Sequence, residues 1–176
     1  MIIGLTGYAR SGKDEVAKIL VERFGYQRLA FADQIKDILM LVNPILESGH
    51  RLNELVTEYG WEVAKAKTEV RRLLQTLGMA VREILDNEVW IVAVMQRMDE
   101  DVDYVIPDVR FYNEAANIKL MGGEIWRINR PDVTAINDHI SESEMDSYTV
   151  DRVLENDGTL EDLELSVKTR MATLLE

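Results

Sequence analysis

The apolar positions along the chain switch repeatedly between two spacings. Residues 2–6 form a short apolar run ending at Gly7, the pattern of a strand buried on both faces. Val16, Ile19, Leu20 and Phe24 then recur at helical spacing, and Gly25 supplies the stop. Residues 27–31 predict a second strand. Residues 32–42 predict a helix through Ile35, Ile38, Leu39 and Val42 that stops before Pro44. Residues 43–67 follow neither period and suggest short helices around Gly49 and Gly60. Leu73, Leu74, Leu77, Val81, Ile84 and Leu85 form a helical stripe, and a short helix follows over 89–98. A third strand is predicted over 103–109, with Pro107 near its end. Asn113 can cap a helix running to Met121, which Gly122-Gly123 would end. Residues 124–129 predict a fourth strand, the polar stretch 130–148 a loop and short helix, and 152–155 a weak fifth strand. Thr159 can cap a last helix whose buried face is Leu160, Leu163, Val167, Met171 and Leu174.

This alternation of strand and helix predicts an α/β fold, a three-layer sandwich around a five-stranded parallel sheet. The 176 residues show no repeat, low-complexity segment or linker, so a single domain over 1–176 is expected. There is no Cys, which excludes disulfides and thiolate metal sites and fits a reducing compartment. The N-terminus lacks the basic region and long apolar run of a signal peptide, and no apolar stretch approaches the ~20 residues of a membrane span. A cytoplasmic protein with no membrane partner is expected. The net charge of -12 argues against nucleic acid, because a phosphate polymer would be repelled. The charge is uneven. Residues 1–36 carry six Lys/Arg against four Asp/Glu, whereas 137–176 carry three against eleven. The acidic end reads as a solvated face. The basic start holds the most informative motif.

Gly7-Tyr8-Ala9-Arg10-Ser11-Gly12-Lys13-Asp14 fits G-x-x-x-x-G-K and lies between a predicted strand and a predicted helix. The glycines let backbone N–H groups turn inward toward phosphates. The helix start aims its free N–H groups and positive dipole end at the same anion, and Lys13 adds a mobile charge between the β- and γ-phosphates. Gly7, Arg10, Ser11, Gly12, Lys13 and Asp14 are therefore candidate ATP-binding residues in a P-loop NTPase fold. Asp14 stands where Ser or Thr ordinarily offers Mg²⁺ a hydroxyl. Its carboxylate suits Mg²⁺, directly or through water, and equally suits the first turn of a helix.

Three further segments matter with the loop: residues 31–36 (FADQIK), 108–114 (DVRFYNE) and 139–142 (HISE). Their order and spacing resemble the phage-type deoxynucleoside monophosphate kinases, a branch of the nucleoside monophosphate kinase superfamily. The loop ending Ser-Gly-Lys-Asp is also similar to that branch, and the resemblance covers residues 1 to about 160. It implies ATP and Mg²⁺, small nucleotide partners and a cytoplasmic setting, the host's for a phage-encoded protein, and it is compatible with a homodimer. It also implies an acceptor-binding region over about 32–90 and a lid over about 130–148. Asp33, Lys36, Arg72, Gln75, His139 and Glu142 become substrate-binding candidates. Solvated helix positions are the plainer reading of Lys36, Arg72 and Gln75. A helix start is the plainer reading of 139–142, since Ser141-x-x-Glu144 fits a capping box.

Asp108 and Arg110 end the third strand, where ligands bind in open α/β sheets. Arg110 offers a planar fork for phosphate. Asp108 could hold Mg²⁺ through water or accept from substrate, and a structural Asp–Arg pair is the alternative. Arg127 and Arg130 close the fourth strand. Arg130, in the loop, is preferred as the arginine of phosphoryl transfer, so Lys13, Arg110 and Arg130 are the catalytic candidates. Asn156, after the fifth strand, falls where the family's adenine-side loop lies, and a turn before a helix cap would also explain it. The tryptophans read as core or cleft wall. The predicted activity is ATP-dependent phosphorylation of a deoxynucleoside 5′-monophosphate. The rivals are another small-molecule P-loop kinase, acting on dephospho-coenzyme A or phosphomevalonate, and a nucleotide-binding switch.

Overall fold

Ile3 and Leu5 alternate with Gly4 along β1 (Ile2–Thr6), and this alternation sorts the two faces of the sheet. The computed structural model describes residues 1–134 and 139–174, Glu142 by its backbone alone. β1 is the central strand. It pairs in parallel with β3 (Tyr104–Ile106) on one side and β4 (Glu124–Asn129) on the other. β2 (Gln27–Arg28) and β5 (Arg152–Glu155) complete the order β2-β3-β1-β4-β5. On one face Ile3 and Leu5 join a buried cluster with Val16 and Leu20 of α1 (Lys13–Phe24) and Leu163, Val167 and Met171 of α8 (Leu160–Ala172). On the other, a Cβ on Gly4 would stand 2.8 Å from Ile118 of α6 (Tyr112–Leu120) and from Val109. Helices cover both faces, giving the expected three layers. The chain leaves β1 toward the β2 edge and β4 toward the β5 edge, so the C-terminal ends of these neighbouring strands flank the topological switch point, where open α/β sheets bind ligands.

This sheet and its helices form one compact unit, Met1–Ala30 with the chain from Val94 onward; Phe31–Ala93 form another. The second unit comprises α2 (Phe31–Val42), α3 (Leu52–Ala66) and α4 (Thr68–Ile84) around Leu39, Leu46, Leu52, Ala64 and Val70. α5 (Val89–Met95) brings the chain out of it, and the buried indole of Trp90 donates to the Gly78 carbonyl at 3.0 Å.

Several local expectations change. β2 is two residues long rather than five, because it is an edge strand and the chain already turns into α2 at Phe31. Within 43–67 the helical part is α3, two short helical runs that meet at a non-helical Gly60 (φ 77°) as expected, whereas Gly49 sits in a turn and not in a helix. Asn113 does not cap α6. Glu114, 3% exposed, accepts from the N–H groups of both Arg110 (2.8 Å) and Phe111 (3.1 Å). The capping box at Ser141 and Glu144 does not form either. His139 caps α7 (Ile140–Ser143), while Glu144 accepts from the Tyr112 N–H at 2.7 Å. Thr159 caps α8 as expected, accepting from the Asp162 N–H at 3.2 Å. Leu160 is exposed, because it stands in the first turn and its side chain leans toward the helix N-terminus, past the sheet. Among the described residues, no helix is long and apolar enough to cross a membrane.

Gly122 (φ 77°) and Gly123 end α6, and the second glycine has a packing reason. A Cβ on Gly123 would lie 2.7 Å from both the Ile2 carbonyl oxygen and the Ile118 side chain. Gly123→Ala is expected to destabilise the protein by about 1–3 kcal/mol through overpacking. A chemical denaturation midpoint equal to wild type would contradict this close approach.

Candidate phosphate-binding site

The loop between β1 and α1 takes a backbone course that side chains resist. Gly7, Arg10 and Gly12 have φ of 130°, 69° and 109°. A Cβ on Gly7 would stand 2.4 Å from the Ile128 carbonyl oxygen, and one on Gly12 would stand 2.4 Å from the Asn156 amide nitrogen. Gly7 is thus required by shape as well as by conformation, because its neighbour is backbone, and Gly12 by its conformation. The Ser11 N–H donates to the Tyr8 carbonyl at 3.1 Å, and α1 begins with the Val16 N–H donating to Gly12. A helix start of this kind points its first N–H groups and positive dipole end outward, an arrangement that suits an anion. The Lys13 ammonium folds over the loop, donating to the carbonyls of Gly7 (2.6 Å) and Tyr8 (2.7 Å).

Against this loop lies a cavity of about 270 Å³, lined also by residues following β3 and at the end of β4. Lys13, Arg110, Arg127 and Arg130 line it, with Asp146 the one carboxylate among the lining residues. The Ser11 hydroxyl, 1% exposed, also lines it and has no hydrogen-bond partner among the described residues. An unpaired buried hydroxyl beside a helix start and four cations fits a polyphosphate.

The arginines divide by role. Arg127 donates to the carbonyls of Met145 and Tyr148 (3.1 Å for the latter), holding the 3₁₀ turn Glu144–Ser147 in place. Arg110 donates to the Ser141 carbonyl at 3.1 Å and is half-buried. Arg130 is exposed, and its guanidinium has no polar partner among the described residues. His139 receives the Ser141 N–H at 3.2 Å, so it shapes the turn that Arg110 contacts.

Asp14 is exposed in the first turn of α1, Asp108 is partly buried just beyond β3, and Arg10 is exposed on the loop. The described residues contain no cluster of three metal-ligand types. Mg²⁺ needs no such cluster, because it is commonly held by one or two carboxylates, waters and substrate phosphates. The Asn156 amide donates to the Ser11 carbonyl at 2.8 Å. The Glu142 side chain and residues 135–138 of the expected lid lie outside the described residues.

The other candidates belong to the second unit. Lys36 and Asp33 pair with each other at 2.9 Å. Arg72 lies on the exposed stripe of α4, while Gln75 shares a more buried stripe with Arg71, Gly78 and Arg82. Arg72 and Gln75, three residues apart, are neighbours on the helix surface, the first exposed and the second half-buried.

Two residues at the cavity carry no signal in the sequence pattern. Tyr8 occupies an unconstrained loop position, and Asp146 lies in a polar stretch. They meet through a 2.8 Å hydrogen bond from the Tyr8 hydroxyl. That bond pushes the Tyr8 phenol above its ordinary range, burial and the Asp146 charge add to the shift, and Arg127 opposes it. Tyr8 therefore remains a donor at neutral pH.

The family model described as deoxynucleotide monophosphate kinase matches residues 48–167. A protein of Acanthamoeba polyphaga mimivirus, provisionally named a deoxynucleotide monophosphate kinase, is 31% identical over 92% of this chain and 91% of its own length. The deoxynucleotide monophosphate kinase of Enterobacteria phage T4 is 29% identical over 60% of this chain and 46% of its own. A dephospho-CoA kinase of Borrelia garinii is 22% identical over 73% of this chain and 56% of its own.

Proposed function

The chain belongs to the deoxynucleotide monophosphate kinase family, and on that premise we propose that it transfers the γ-phosphoryl group of ATP to a deoxynucleoside 5′-monophosphate. The products are ADP and the deoxynucleoside diphosphate. The observation that carries this reading is the cavity at the end of β1, where the phosphate loop meets the arginines that follow β3 and β4.

Phosphoryl transfer asks little covalent chemistry of a protein. Positioning and charge neutralisation do most of the work. The loop N–H groups and Lys13 hold the donor phosphates. Arg110, anchored on Ser141, presents a fixed fork to bound phosphate, and His139 acts through that same turn. Arg130, with no polar partner among the described residues, can follow the charge of the group in transfer. Mg²⁺, when bound with ATP, neutralises charge on the β- and γ-phosphate oxygens. Asp14 and Asp108 are the residues that would hold it, through water. The acceptor is assigned to Asp33, Lys36, Arg72 and Gln75, with Lys36 exchanging Asp33 for the acceptor's phosphate. Gln75 both donates and accepts, so it can read a base edge. The sequence assignment of Glu142 to the acceptor is retained as part of this proposal.

We place the reaction in the cytoplasm, the host's for a viral gene, with small nucleotides rather than nucleic acid or membrane as partners. The net charge of -12 supports that choice. A homodimer is the proposed assembly, and light scattering would read it as about twice 20.2 kDa.

The test is ADP release from ATP and Mg²⁺ over a panel of acceptors. One or more of dGMP, dTMP and dCMP is expected to support turnover, with ribonucleotides weaker by up to ~10²-fold. ADP release with dephospho-coenzyme A and with no deoxynucleotide would overturn the acceptor. Release independent of any acceptor would point to a nucleotide switch instead.

A further inference from the structure

The carboxamide of Asn156 reaches the phosphate loop from the end of β5. Its Nδ2 donates to the Ser11 carbonyl at 2.8 Å, across 145 residues of sequence. The reach is fixed at its base, because the Asn156 backbone N–H donates to the Asn129 carbonyl at 2.7 Å and so extends the β4–β5 ladder. Three residues on, Thr159 caps α8 and holds the other side of the same turn. The carboxamide and the loop also fit by shape, since a Cβ on Gly12 would come within 2.4 Å of Nδ2.

Asn156 itself is not among the residues lining the cavity, whereas Ser11 and Lys13 are. The peptide between Ser11 and Gly12 is trans, and in a planar trans peptide the C=O and N–H point in opposite directions. Drawing the Ser11 carbonyl toward Asn156 therefore turns the Gly12 N–H away from it. We infer that Asn156 is a positioning residue for donor phosphate binding: its carboxamide fixes the Ser11–Gly12 peptide so that the Gly12 N–H faces the phosphates. The side-chain donor is committed to the loop, so its effect on ATP travels through the loop rather than through the adenine. This inference rests on the reading of the loop as the donor site.

The experiment compares two probes, ATP by direct binding and inorganic triphosphate by competition with ATP. Each is measured on wild type, Asn156→Ala, Asn156→Asp and Lys13→Ala. Asn156→Ala is expected to weaken both probes about tenfold, the scale of one lost hydrogen bond. Asn156→Asp keeps the shape but sets a carboxylate against the Ser11 carbonyl and the incoming phosphates, so both probes should weaken further. The KM for the deoxynucleotide should stay within about twofold in both variants. Weakening of ATP with triphosphate unchanged would overturn the inference in favour of an adenine contact. Wild-type binding by Asn156→Asp would reduce Asn156 to a space filler. Where Asn156→Ala melts far below wild type, the near-isosteric Asn156→Asp decides alone. Normal binding of both probes by Lys13→Ala would remove the donor-site reading itself. Weak binding by Lys13→Ala with normal binding by both Asn156 variants would remove only the present inference.

Discussion

Lys13→Ala is expected to fold normally and to lose turnover by at least about 10²–10³, the scale of removing one preorganised donor from a developing oxyanion. The loop geometry explains why folding should survive. The Lys13 ammonium donates to the loop's own Gly7 and Tyr8 carbonyls, and both can turn to water. The glycine conformations and the start of α1 do not depend on it. Turnover does, because the same ammonium is the mobile cation that shares the cavity with the unpaired Ser11 hydroxyl at the helix start. Removing it leaves the donor phosphates cradled but less neutralised as charge moves toward the leaving oxygen. The measurement is kcat and KM for ATP at saturating acceptor, with a thermal melt as the control for folding. Near-normal turnover in a folded Lys13→Ala protein would show that the loop does not hold the reacting phosphates.

The second large effect is expected at Arg130. Arg130→Ala should lower kcat by about 10³, the lower end of what an arginine in the transfer position contributes, with a smaller change in KM. Arg110→Ala should instead raise the KM for the acceptor. The two guanidiniums differ in how they are held. Arg110 is tied to the Ser141 carbonyl, so its position is set before substrate arrives and it suits ground-state binding. Arg130 is exposed and has no polar partner among the described residues, so it can move with the transferring group. Steady-state kinetics with both substrates varied separates these outcomes. If Arg130→Ala leaves both constants unchanged, the segment after β4 takes no part in transfer.

Near neighbours along the chain are enough to specify part of this protein. The alternation along β1, the helical stripe of α1, the stop at Gly25 and the cap at Thr159 are consequences of two fixed periods and of short-range hydrogen bonds. The phosphate loop is readable for the same reason, because its glycines and lysine fall within seven residues and sit where a strand must become a helix. Local signals failed where two local partners competed. Asn113 is a plausible cap from composition, yet the Glu114 carboxylate, one residue further on, reaches two N–H groups at once. Which distant groups share the cavity follows from packing in three dimensions. Parallel pairing sets β3 and β4 on either side of β1, which carries Arg110 and Arg130 to Lys13 across 97 and 117 residues of sequence. The same packing commits Arg127 to the carbonyls of the turn that bears Asp146, joins Asp146 to Tyr8 and brings Asn156 onto Ser11. No period along the chain encodes those pairings, because they follow from strand order and from the direction in which each strand end releases its next residue.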